Sequence, residues 1–155
     1  MDFYNHGTVE VEVGNMALGS YYSSTGGGGT GSYSAPNGTL IFQGIQDLAA
    51  SSSIDAFEVR FEGTYATVAG SYRADTATVI STSYVYFTGT IDNIGALTVT
   101  GTGGGQVDFS PSAGPTTLEL ASLYYVGVGL GGAANFNVNG QFTWIWGRLY
   151  GQPFL

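Results

Sequence analysis

Gly127-Val128-Gly129-Leu130-Gly131-Gly132 carries the G-x-G-x-x-G spacing of a dinucleotide site. There the glycines let backbone approach a pyrophosphate held at the N-terminus of a following helix. The next residues, AANFNVNGQF, alternate like a strand, and no Asp or Glu follows Glu119. Helix and ribose-binding carboxylate are both missing, so the spacing reads as a glycine-rich strand end or bend. GGGQVD at 103–108 approaches the calcium-binding G-G-x-G-x-D turn, with Gln106 where a glycine belongs. That turn binds metal only in stacked repeats, and a single copy leaves Asp108 as an ordinary strand or turn residue.

Other chemistry is equally thin. His6 is the only histidine and there is no cysteine, so zinc sites and thiol nucleophiles lack their ligands. Glu58 and Glu62 share a strand face, but four strand residues separate them by about 13 Å. That is too far for the carboxylate pair of a glycosidase, and the two instead flank Arg60 as a surface charge ladder. Lysine is absent, which excludes a phosphate-binding P-loop and a pyridoxal Schiff base. The cations are Arg60, Arg73 and Arg148, and the net charge is -8, which speaks against nucleic acid. The expectation is a protein that is not an enzyme, with no cofactor and no metal.

What remains is aromatic. Phe136, Phe142, Trp144, Trp146 and Tyr150, with Phe154 beyond, form a stripe that reads as core or as an exposed binding face. YVYF at 84–87 and the Tyr pairs at 21–22 and 124–125 place aromatics on both sides of their strands, so some must lie outside the core. Exposed Tyr and Trp combine a flat apolar face with a polar handle, which suits sugar stacking or protein contacts.

The elements that position these residues are strands. TVEVEV sets Val9, Val11 and Val13 against Glu10 and Glu12; FEVRFE sets Phe57, Val59 and Phe61 against Glu58, Arg60 and Glu62. TLELASLYYVGVGL puts Leu118, Leu120, Tyr124, Val126, Val128 and Leu130 on its even face. Turn formers intervene at 35–38, 73–76, 91–95 and 110–115, and no fixed repeat is apparent. One short helix is expected near 45–52, in IQDLAASS. FNVNGQFTWIWG predicts a bulged hairpin at Asn139-Gly140, pairing Phe136 with Phe142; APNGT at 35–39 has the same turn chemistry.

The predicted fold is therefore all-β: one domain over 1–155, an antiparallel β-barrel or two-sheet β-sandwich of about eight to ten strands. The expected function is that of a non-catalytic interaction or structural protein. It would associate with copies of itself through aromatic and Gly/Ser/Thr-rich surfaces that no edge lysine protects. The alternative is a ligand-binding module, either a carbohydrate surface or an apolar cavity for a small molecule or lipid. A membrane-inserting barrel ranks below both, because Glu10/Glu12 and Glu58/Arg60/Glu62 line whole strand faces. The first residues lack the basic start and apolar run of a signal peptide; an extracellular or cell-surface setting is favoured by composition.

Overall fold

The structure, a computed structural model, describes residues 2–21, 26–101, 104–114 and 116–151, apart from the side chains of 64, 82 and 83. The strands expected from alternation form, but they wind into a parallel β-solenoid of about 6 turns. The chain opens with β1 (Tyr4–Asn5), β2 (Thr8–Glu10), β3 (Gly14–Leu18) and β4 (Gly26–Gly29). Three long strands follow, β5 (Ser32–Leu48), β6 (Ser53–Val68) and β7 (Ser71–Phe87). The remainder is β8 (Ile91–Asn93), β9 (Ala96–Thr100), β10 (Gln106–Phe109), β11 (Thr117–Leu120), β12 (Leu123–Gly132), β13 (Asn135–Val138) and β14 (Phe142–Gly151). Every ladder among the described residues is parallel. This overturns both the antiparallel barrel and the sandwich.

Each coil has three extended stretches, stacked on those of the coils before and after it. The first side runs through β2, the starts of β5, β6 and β7, and β8; β11 and β13 pair with each other further on. The second side runs through β3, the middles of β5 to β7, β9, and the starts of β12 and β14. The third side joins β1, β4, the ends of β5 to β7, β10, and the ends of β12 and β14.

A repeat is present after all. Thr39 pairs with Glu58, Glu58 with Ala77 and Ala77 with Ala96, a step of 19 residues each time. Elsewhere the step varies: it lengthens from Tyr84 to Gln106 and from Leu97 to Leu123, where loops are inserted at the corners, shortens by one from Ser53 to Ser71, and returns to 19 from Leu123 to Phe142. Variable insertions hide the period from inspection of the sequence.

Register explains the interior. Alternate residues point inward, and the same position in successive coils builds a column. One column on the second side is Leu40, Val59, Thr78, Leu97, Leu123 and Phe142; the next is Phe42, Phe61, Ile80, Val99, Tyr125 and Trp144. Aromatic rings from different sides meet along the axis. Tyr33 meets Phe42 at 5.4 Å, Phe42 stacks on Phe61 at 5.5 Å, and Phe87 stands 5.6 Å from Phe61 and 5.0 Å from Tyr72. Phe109 stacks on Phe87 at 4.6 Å, and Phe136 meets Phe109 edge-on at 5.4 Å.

Corners change which face a residue joins. At Ala56/Glu58 the register shifts, so Phe57 is extruded and half exposed while Val59 and Phe61 are buried as expected. Between Leu120 and Leu123 the chain turns, which moves Tyr124 outward and puts Leu123 and Tyr125 inside, against the even-face expectation. Val13 is exposed and Val9 and Val11 are only partly buried, because the first coil has no coil before it.

Residues 45–48 are strand, not helix: Gln46 and Leu48 face inward and pair with β4 and β6. Buried Gln46 donates to the carbonyls of Leu18 and Gln43. The hairpins are overturned too. Asn139-Gly140 is a corner between β13 and β14, which lie on different sides of one coil, pairing with β11 and β12 respectively. The APNG turn is likewise a corner within β5.

Two outcomes test this interior. Phe87→Ala removes a ring shared by three aromatic neighbours and is expected to cost about 3–5 kcal/mol in urea unfolding. Burial pushes the phenol of Tyr33, which donates to the Gly28 carbonyl, up from 10.0 to about 12. The folded state thus holds this proton more tightly than the unfolded chain, so stability present below pH 10 falls as pH rises towards 12. Alkaline titration of the melting temperature should show a shallower decline in Tyr33→Phe.

Candidate functional site: a tyrosine face and a glycine-floored groove

The outward positions of the third side form two columns. One is Ile45, Tyr65, Tyr84, Gln106, Gly129 and Arg148; the other is Asp47, Thr67, Tyr86, Asp108, Gly131 and Tyr150. The β5 coil carries Ile45 and Asp47, the β6 and β7 coils carry tyrosine, the β10 coil carries Gln106 and Asp108, and the β12 coil carries only glycine. The backbone of Gly127 to Gly129 floors a groove of about 580 Å³, walled by Gly104, Gly105 and Gln106 on one side and by Gly147, Arg148 and Tyr150 on the other.

Local sequence accounts for this shape. A side chain at Gly131 would come within 1.9 Å of the Tyr150 carbonyl oxygen, and one at Gly129 within 3.3 Å of the Tyr150 ring. The bare backbone of β12 lets the Tyr150 ring lie down across it. Its hydroxyl then reaches back to β10, donating to the Val107 carbonyl at 3.2 Å and contacting Asp108 Oδ2 at 3.1 Å. At the corner entering this side, Gly127 and Gly147 have φ of 99° and 129°, a region that favours glycine. The G-x-G-x-x-G spacing thus lies within β12, followed by β13 rather than a helix.

Asp108 anchors the middle of the face. It accepts from Gln106 Nε2 at 3.2 Å and from the Ser110 hydroxyl. Burial, followed by the Asp108 charge, raises the Tyr150 phenol well above the usual tyrosine value. Tyr86 is raised as well, first by burial and then by Tyr65, Tyr84 and Asp108 around it. Tyr65 and Tyr86 lie 5.6 Å apart, and Tyr84 and Tyr86 lie 6.5 Å apart with planes within 6° of parallel. Tyr65 and Tyr84 are 39% and 38% exposed, and the Tyr84 hydroxyl donates to Gly104 O at the groove rim. Rings and groove are therefore one continuous surface.

The predicted aromatic stripe is divided among different places. Phe136 is 3% exposed and belongs to the interior. Phe142 and Trp144 end the two inward columns of the second side, at the last described coil, and are about half exposed. A bulge at Ile145 shifts the register, so Trp146 pairs with Val126 and lies on the outer surface against Gly127. Tyr150 alone joins the groove. Phe154 lies outside the described residues. Tyr84 and Tyr86 lie in the YVYF stretch expected to put aromatics on both sides of its strand, but neither they nor Tyr65, Gln106 and Arg148 are assigned to a binding site from sequence; the recurrence of Tyr at the 19-residue step from 65 to 84 is the signal that marks the column.

The remaining chemical candidates have local partners. His6 Nδ1 lies 3.1 Å from the Thr30 hydroxyl. Arg60 pairs with Glu58, and Glu62 accepts from Gln43. Glu119 accepts from Asn139 and Asn137, each at 2.8 Å, which lowers its carboxyl. No group of three metal-ligating side chains occurs among the described residues. The chain matches no family model, no curated protein and no solved structure.

The Tyr150–Asp108 contact carries a direct test. In Asp108→Asn the Tyr150 ring resonance should titrate at lower pH than in the parent, because the neighbouring negative charge is gone while burial is retained. An unchanged titration would mean that burial alone sets it.

Proposed function

We propose that this protein is a non-catalytic structural element that assembles end to end with copies of itself, each solenoid continuing the next. The supporting observation is the state of the last coil. Phe142, Trp144, Ile145 and Trp146 are 46%, 54%, 58% and 51% exposed on β14, whose outer edge pairs with no strand among the described residues. A repeat protein that stays single ends in a coil with a polar outer face. The last described rung carries large apolar side chains instead, and its edge holds no lysine.

The occupant favoured is the first coil of another copy. Its second side begins with β3, whose Met16 and Leu18 occupy the same inward columns that Phe142 and Trp144 close at the other end. β2 then falls over β13, and β1, which enters the third side one coil earlier, lifts away from β4 to clear the end of β14. Charge is also complementary: the first coil holds Asp2, Glu10 and Glu12, whereas Arg148 is the only charged side chain after Glu119. A head-to-tail contact of this kind does not close, so it builds filaments of open length.

Sedimentation velocity over a concentration series should show growth beyond a monomer, with a β-rich spectrum throughout. Ile145→Lys places a charge on the exposed edge without touching the interior. It should reduce assembly at least about tenfold while leaving the melting temperature within a few degrees. A wild-type chain that remains a monomer at millimolar concentration overturns the reading, as does assembly unaffected by Ile145→Lys.

A further inference from the structure

We infer that the third side of the solenoid is a binding site for a neutral, linear oligosaccharide, laid across Tyr65, Tyr84 and Tyr86 and entering the groove beside Gln106, Arg148 and Tyr150. Tyr65, Tyr84 and Tyr86 lie on the lateral surface of β6 and β7, coils away from the end used in assembly, so this part of the inference stands independently of it; only the far wall of the groove, Arg148 and Tyr150, belongs to the terminal strand β14.

The geometry supports this in three ways. First, the exposed apolar surface here is tyrosine: the half-exposed rings of Tyr65 and Tyr84 flank Tyr86, and each ring pairs an apolar face with a hydroxyl. Sugar rings present the complementary pattern, a C–H face edged with hydroxyls, whereas a lipid chain or an apolar protein patch leaves the phenols unused. Second, the groove is open and floored by glycine backbone, so a ligand can approach the main chain closely. Its rim mixes the carbonyls of Gly104 and Gly105 with the carboxamide of Gln106 and the guanidinium of Arg148. Planar donors and acceptors around an aromatic platform fix the orientation of hydroxyl-bearing ligands. Third, the coils repeat every ~4.8 Å, so equivalent positions recur along one line, as a polymer of repeating units requires.

Charge selects among glycans. Asp108 sits in the middle of the face, and the chain carries a net charge of -8, which disfavours a polyanion. Arg148 then serves as a hydrogen-bond donor to hydroxyls at the end of the groove.

Calorimetry of the full chain with cellohexaose, laminarihexaose and mannohexaose, and with polygalacturonate as the anionic counterpart, tests this. At least one neutral hexasaccharide should bind. Tyr84→Ala and Tyr65→Ala, both at exposed rings, should each weaken it by about tenfold with the fold retained by circular dichroism. Gln106→Ala provides a second variant without loss of a ring and should also weaken binding. Absence of binding by every neutral hexasaccharide, binding of polygalacturonate alone, or binding untouched by all three substitutions would each overturn the inference. Ile145→Lys should leave glycan binding as it is, which separates this outcome from failure of the assembly.

Discussion

The structure depends on one constraint: in a parallel, in-register coil each side chain sits above its counterpart from the coil before. A large ring therefore asks for a large ring, or a compensating branched chain, at the same position one step later. The column Phe42, Phe61, Ile80, Val99, Tyr125 and Trp144 satisfies this across six coils. The contacts from Tyr33 to Phe136 do the same along the axis. Apolar burial of this kind is the main favourable term of folding, and stacked or edge-on rings add to it beyond the area they bury. Thr78 enters the interior with partners in Tyr72 and the Ile94 carbonyl, and Gln46 with the carbonyls of Leu18 and Gln43, whereas the buried hydroxyl of Ser52 has no hydrogen-bond partner among the described residues.

Corners are the other half of the design, and they account for much of the glycine. Stacked coils bring corner backbones within touching distance, and Gly89 shows the limit: a side chain there would meet the Gly70 carbonyl oxygen at 1.9 Å. The same restriction makes the groove. Where β12 carries glycine on its outward positions, the coil that follows folds Tyr150 over it, and a structural economy at the backbone becomes a concavity at the surface.

Strand content was legible in the sequence, because alternation in FEVRFE or TLEL reports a half-buried strand whatever its neighbours are. Direction was not. A strand that buries one face alternates in the same way in a hairpin meander or in a coil, and turn residues such as Asn139-Gly140 serve a hairpin reversal and a solenoid corner equally well. The hairpin argument from side-chain parity, which pairs Phe136 with Phe142, assumed that consecutive strands are neighbours. In a solenoid the neighbour is one coil away, so Phe136 answers to Leu118 and Phe142 to Leu123. The period that would have shown this holds at 19 residues from Thr39 to Ala96, is broken by insertions on either side, and returns between β12 and β14. The tyrosine face was hidden for the same reason: Tyr84 and Tyr86 share one strand face, but Tyr65 joins them, and the groove lies beside them, only after winding.

A solenoid differs from a barrel in a way that bears on what this chain does. A barrel closes its hydrogen-bonding edges on themselves, whereas a coil always leaves two, one at each end. Those ends are related by the repeat, since the first and last rungs carry the same inward positions, so an uncapped coil is complementary to its own beginning by construction. Whether that complementarity is expressed depends on the side chains at the rungs. In the proposed assembly, Phe142 and Trp144 at the ends of the inward columns and Ile145 on the open edge would meet a first coil that holds Asp2, Glu10 and Glu12, an arrangement that would favour joining over capping. Stacking end to end would leave the lateral sides free, and the third side carries the tyrosines rather than the Arg73–Asp55–Asp75 cluster of the first or the Glu58–Arg60 pair of the second. In a filament its tyrosine columns and groove would recur once per subunit along a single line, so that weak contacts to a long chain of sugars would add along the assembly.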